Sequence, residues 1–148
     1  MSDRFETIIL IGRPAAGKSE VIDFLKKTAE PERARRFHIG PFAELDDFPF
    51  VWEAFEIDDI LEKQLGRPRV FTTPDYFFHG EYVWHLFIER LNLEYRKRLA
   101  RDPGILAKET AVIEFSRGGE HGFGDAFALL ADEILRRACI VYINVSYE

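Results

Sequence analysis

Apolar residues along this chain follow two periods, and the alternation between them predicts the elements. Ile8-Ile9-Leu10-Ile11 is an unbroken run, mostly β-branched, and predicts a central strand buried on both faces of a parallel sheet. Val21, Ile22, Phe24 and Leu25 then recur at helical spacing, and Pro31 is expected to stop that helix. Phe37 to Ile39 reads as a short second strand. Gly40-Pro41 and Phe48-Pro49 bracket a stretch with Glu44, Asp46 and Asp47 that reads as loop. Val51, Trp52, Phe55, Ile60, Leu61 and Leu65 predict an amphipathic helix over 50–65, closed by Gly66 and Pro68. A longer helix is expected from Thr73 as N-cap and Pro74 at its first turn, through Trp84, Leu91 and Tyr95 to Leu99, with Gly80 as a possible division. Ala111 to Phe115 predicts a second buried strand, Phe123 to Ala138 an amphipathic helix, and Cys139 to Val145 a last buried strand.

Strands alternating with helices imply an α/β three-layer sandwich: a mainly parallel sheet of about four strands with helices over it. The 148 residues suit one domain, with a helical insert over about 48–103 after the second strand. Composition alters this picture little. A net charge of −6 argues against a dedicated nucleic-acid binder, which usually carries a basic face. Cys139 is alone, so no internal disulfide forms; it reads as a small buried hydrophobe in a protein of the reducing cytoplasm. The first apolar run is too short for a signal peptide or a membrane span.

The junction after the first strand changes the picture most. Gly12-Arg13-Pro14-Ala15-Ala16-Gly17-Lys18-Ser19 fits G-x4-GK[ST], the phosphate-binding P-loop pattern, and lies between a strand and a helix that opens with Glu20. Its glycines let backbone N–H groups converge on an anion, and the helix presents unpaired N–H groups and its positive dipole end. Lys18 is expected to reach the terminal phosphates of ATP, and Ser19 to ligate Mg²⁺. The fold expectation thereby narrows to the P-loop NTPase type.

These residues resemble the kinase-like branch of the P-loop NTPases, which includes nucleotide, shikimate and gluconate kinases. The likeness is strong only over 7–28. Ala15 stands where that family commonly has glycine, a departure read as mild because alanine accepts any φ below zero. The resemblance implies Mg·ATP as phosphoryl donor and a small-molecule acceptor. It also implies an arginine-bearing lid and a fifth strand; the sequence stops at Glu148 as its fourth strand finishes, so either the natural chain continues, which is the favoured expectation, or the fold is trimmed and something else covers that edge of the sheet.

Four further features carry candidate chemistry. Glu114 interrupts a buried strand near its carboxyl end, where open α/β sheets bind ligands; it reads either as the acid that holds Mg²⁺ beside Ser19 or as one half of a structural ion pair. Arg117-Gly118-Gly119 either places a guanidinium over an acceptor or makes a simple turn. Asp46 and Asp47 are candidates for taking the proton of an acceptor hydroxyl, Asp47 foremost, or form a solvated acidic loop. The aromatic belt from Phe48 to Trp84 either stacks on a planar acceptor or packs the insert. The basic runs at Arg33 to Arg36 and Arg96 to Arg101 are candidates for binding phosphate, the second, near a helix C-terminus, reading mainly as a solvated helix end. The four histidines show no metal spacing. A phosphotransferase competes with two other functions: an ATPase switch whose insert binds a protein, and a non-catalytic nucleotide sensor. An exposed last strand also invites a homodimer.

Overall fold

In the computed structural model, which describes residues 3–13, 15–118 and 122–145, Thr7–Gly12 forms strand β1, buried along its whole length. The chain then runs through α1 (Lys18–Lys27), α2 (Glu30–Phe37), β2 (Phe42–Asp46), α3 (Phe48–Lys63) and α4 (Glu81–Arg101). It continues with α5 (Ile105–Lys108), β3 (Thr110–Glu114), α6 (Gly122–Leu129), α7 (Asp132–Leu135) and β4 (Ala138–Ile143). The four strands form one parallel sheet in the order β2-β3-β1-β4.

Side-chain alternation gives the sheet two apolar faces, and helices cover both. On one, Ile9, Ile11, Leu45, Ile113 and Phe115 meet Ile88, Leu91 and Tyr95 of α4 together with Ala126 and Ile134. On the other, Leu10 and Val112 pack on Ile22 of α1, and Ile8 on Leu25. A buried hydrogen bond of 2.9 Å between Thr7 Oγ1 and the Tyr95 hydroxyl ties β1 to α4. Both polar tips are thereby satisfied inside the core. Among the described residues, no helix is long and apolar enough to cross a membrane.

Several expectations need correction. Phe37 to Ile39 is not a strand; β2 lies in the stretch read as loop, and as an edge strand paired only to β3 it is half-buried and shows a weak pattern. The first helix does end before Pro31, at Lys27, but a further helix, α2, follows and carries that proline in its first turn, where its missing N–H costs nothing. Arg33 of that helix, a candidate for binding phosphate, is buried and spends its guanidinium on the carbonyls of Leu25, Thr28 and Gly40 at 2.8–3.1 Å. Its neighbours Arg35 and Arg36 pair with Glu32 at the surface.

Thr73-Pro74 starts no helix. Thr73 N–H donates to the Phe77 carbonyl at 2.7 Å and His79 N–H to that of Phe71 at 3.0 Å, so this segment folds back on itself and α4 begins only after Gly80. That fold-back hangs on Asp58 of α3, whose carboxylate is fully buried and accepts from the N–H groups of Val70, Phe71 and Thr72 and from the Thr72 hydroxyl at 2.6–3.0 Å. The helix expected over 123–138 is broken, because Asn92 of α4 accepts the Ala131 N–H and donates to the Leu129 carbonyl, both at 2.9 Å. A single buried amide thus holds the junction of α6 and α7.

The last strand is not buried either. It pairs with β1 alone among the described residues, leaving Ile140 53% and Tyr142 51% exposed, and Cys139 is only partly covered.

Candidate functional site

Strand order decides what surrounds the loop. Because β3 lies between β1 and β2, Glu114 is in register with Leu10 on one side and with Asp46 on the other. The carboxyl ends of the three strands therefore bring the Gly12–Ser19 loop, Glu114, Asp46 and Asp47 to one edge. A cavity of about 890 Å³ opens there, lined among others by Lys18, Ser19, Asp46, Asp47, Glu114 and Arg117. Its far wall comes from the insert, through Phe48, Trp84 and His85.

The loop itself is tightly specified. A Cβ on Gly12 would sit 3.2 Å from both Ala16 Cβ and the Ile143 carbonyl oxygen, so the close approach of β4 favours glycine there. Gly17 has φ of 99°, as the turn into α1 requires. Ala15 has φ of 63°, which corrects the expectation that it sits at negative φ: it occupies the left-handed region that glycine accepts without strain. The commoner glycine of the resembling family would relieve that strain. Arg13 and Ala16 close a turn through an N–H to carbonyl bond of 3.0 Å. Pro14, the remaining member of the loop, lies outside the described residues, as do Gly119 and His121.

Lys18 is buried, and its ammonium donates to the Gly12 and Arg13 carbonyls at 3.5 Å and to the Ser116 hydroxyl. Ser116 shares the Glu114 face of the chain after β3, as strand alternation expects, and its role as the lysine's partner was not foreseen. Ser19 and Glu20 are exposed in the first turn of α1, Ser19 on the cavity.

Glu114 is only 9% exposed and has no hydrogen bond or ion pair among the described residues. Burial pushes its carboxyl up to about 7; Asp46 adds to the rise and Lys18 opposes it. Asp46 is raised by burial too, although it accepts the Phe48 N–H at 2.9 Å. Asp47 is buried against Arg117, with 2.6 Å between carboxylate and guanidinium. Even so, burial outweighs the arginine and leaves Asp47 raised. The same guanidinium donates to the Ser116 carbonyl at 2.7 Å and the Trp84 carbonyl at 3.3 Å, and lies 5.0 Å from the centre of the Trp84 ring. Arg117 thus latches β3 to the β2–α3 turn and to α4.

The aromatic belt divides. Phe48 and Trp84 face the cavity, whereas Val51, Val83 and Phe87 form a second core flanked by Phe50, Phe55, Phe71 and Phe78. Trp52, Tyr76, Phe77 and Tyr82 are exposed. Of the second basic run, Arg96, Lys97 and Arg98 pair with Glu133, Glu94 and Glu109, away from the cavity. Glu81 and Asp125 also line the cavity. Neither stands in a recognisable motif; only the topology, which sets the starts of α4 and α6 at this edge, reveals them.

Among the described residues no group of three or more His, Cys, Asp or Glu side chains is placed to hold a metal ion. A cation beside Ser19 and Glu114 would therefore need oxygen ligands from a bound anion as well, which is how magnesium is usually held. Comparison of the chain with protein-family models, with curated proteins and with solved structures finds no match in any of the three.

Proposed function

We propose that the chain is a P-loop phosphotransferase of the NTPase fold type, binding Mg·ATP at Gly12–Ser19 and phosphorylating a small hydroxyl-bearing acceptor in the same cavity. One observation carries the reading: a buried carboxylate, Glu114, without a protein partner among the described residues, stands beside a glycine-bounded loop and a buried lysine at the carboxyl edge of a parallel sheet. A cation is the natural counterpart of such a group.

In this reading Mg·ATP supplies the electrophilic phosphorus and part of the charge neutralisation. Lys18 would turn from the loop carbonyls to the terminal phosphates, and Ser19 and Glu114 would be the residues that hold the cation. Asp46 accepts the acceptor's hydroxyl proton as the new P–O bond forms and the bond to the ADP oxygen breaks. Asp47 is committed to Arg117 and keeps the cavity wall in place. An acceptor-free ATPase lacks a comparable observation, since Phe48, Trp84 and the carboxylates line far more space than a water needs.

Calorimetric titration with Mg·ATP tests the reading. Lys18→Ala is expected to weaken binding on the order of 100-fold, the worth of a lost charge-assisted contact to phosphate, with an unchanged far-UV spectrum. Parent protein that fails to bind Mg·ATP at millimolar nucleotide, or a Lys18→Ala protein that binds equally well, sinks it.

A further inference from the structure

The acceptor side of the cavity has a charge balance that the phosphate loop does not explain. Among the described residues Asp46, Asp47, Glu81, Glu114 and Asp125 line it, against Lys18 and Arg117 as the lysine and arginine side chains on its wall and His85 as the imidazole. Neither cation is at liberty. Arg117 is consumed by Asp47 at 2.6 Å, by two backbone carbonyls and by the Trp84 ring. Lys18 belongs to the loop and, in the proposed reading, to the donor's phosphates.

We infer that the acceptor half of the cavity takes a hydroxyl compound bearing a positively charged nitrogen and turns away phosphorylated or carboxylated ones. The inference rests on the phosphotransferase reading and narrows its substrate class. An anionic acceptor would meet no uncommitted lysine or arginine among the described lining residues, and it would face Asp46, Glu81 and Asp125 across the cavity. Like charges juxtaposed in a partly desolvated site repel and disfavour binding.

One member of that lining points to a ligand by its own state: Glu114, 9% exposed, borders the cavity and has no hydrogen bond or ion pair among the described residues. Bound Mg·ATP would satisfy one side of it without making the cavity positive, because the nucleotide carries more negative charge than the ion carries positive. The rings of Phe48, 56% exposed, and Trp84, 38% exposed, border the same space and offer π faces that attract a cation. An ammonium group thus gains from carboxylates and rings together, while its hydroxyl reaches Asp46.

The test uses probes on one skeleton: glucosamine, glucose, glucuronate and glucose 6-phosphate. Each is titrated by ligand-observed NMR into protein saturated with Mg²⁺ and a non-hydrolysable ATP analogue. Glucosamine is expected to bind on the order of tenfold or more tightly than either anion, with glucose between them. Equal or tighter binding of glucuronate or glucose 6-phosphate overturns the inference while leaving the nucleotide reading intact. The analogue's own affinity, measured first, reports on that reading separately.

A second measurement needs neither nucleotide nor the right acceptor. In a Trp52→Phe protein, Trp84 is the sole tryptophan. Relative to free tryptophan, caesium is expected to quench it several-fold more efficiently than iodide does. Equal quenching by the two ions overturns the inference, including where no sugar binds.

Discussion

Of the carboxylates buried among the described residues, Asp58 and Glu114 are treated in opposite ways. Asp58 accepts hydrogen bonds from three backbone N–H groups and a hydroxyl. Burial would raise its carboxyl, but the Thr72 hydroxyl and the backbone donors outweigh burial and hold it below the ordinary aspartate range. Glu114 receives no hydrogen bond among the described residues, and burial drives it to about 7. The first carboxylate closes the fold-back between α3 and α4. The second costs stability and faces a cavity. Of the two, the carboxylate without a hydrogen bond is the one at the carboxyl edge of the sheet, which is the observation the proposed cation-holding role rests on.

The comparison breaks most visibly at Asp58. Asp58→Ala leaves three N–H groups without their acceptor and is expected to lower unfolding free energy by about 3–4 kcal/mol in urea titrations. Glu114→Gln is expected to do the reverse at pH 8. The native glutamate titrates at about 7, against 4.5 for the ordinary group, so both states are protonated at low pH. Between those values the unfolded chain ionises first, stability falls as pH rises, and the penalty is constant above about 7. At about 1.4 kcal/mol per unit, its size is on the order of 3 kcal/mol. Glu114→Gln should flatten this fall and gain roughly 1–3 kcal/mol at pH 8; a steeper fall would contradict the assignment. Asp58 tilts the other way, its contribution present above about 3.8 and lost as pH drops through the depressed native value.

Arg117→Met turns Asp47 into a second unpartnered carboxylate. A loss of about 2–3 kcal/mol is expected at pH 8, shrinking on acidification as Asp47 takes up a proton. The smallest effect is at the loop. Ala15→Gly relieves a left-handed alanine worth about 1–2 kcal/mol, offset by the greater freedom of glycine in the unfolded chain. A net gain of about 0.5–1 kcal/mol by thermal or urea unfolding is expected, and a destabilised variant would show that the strain is not stored there.

How far all this was legible in the sequence depended on distance along the chain. β1, the loop and the start of α1 were readable because their apolar run, glycines and helix period are local. Glu114 stood out as an acid in an apolar strand. The pairing of Asp46 with Glu114 was hidden, since it depends on which strand neighbours which. β2 was missed because an edge strand needs to bury only half of itself. Asp58 and Asn92 look like ordinary helix-surface residues until their partners, Val70 to Thr72 and Leu129 to Ala131, fold back onto them. Ala15 misled because its backbone angle is set by the turn around it and not by its own preference.

The register of β1 has a consequence for how the protein is made. Thr7 pairs with Ala111 on one side and with Ala138 on the other, so β1 has no neighbour within this sheet until more than a hundred residues have followed it. At about 5–20 residues per second, Ile8 to Ile11 wait roughly 5–20 s on the ribosome with their apolar edges unpaired. Until β3 emerges, those unpaired edges are open to pairing with another chain.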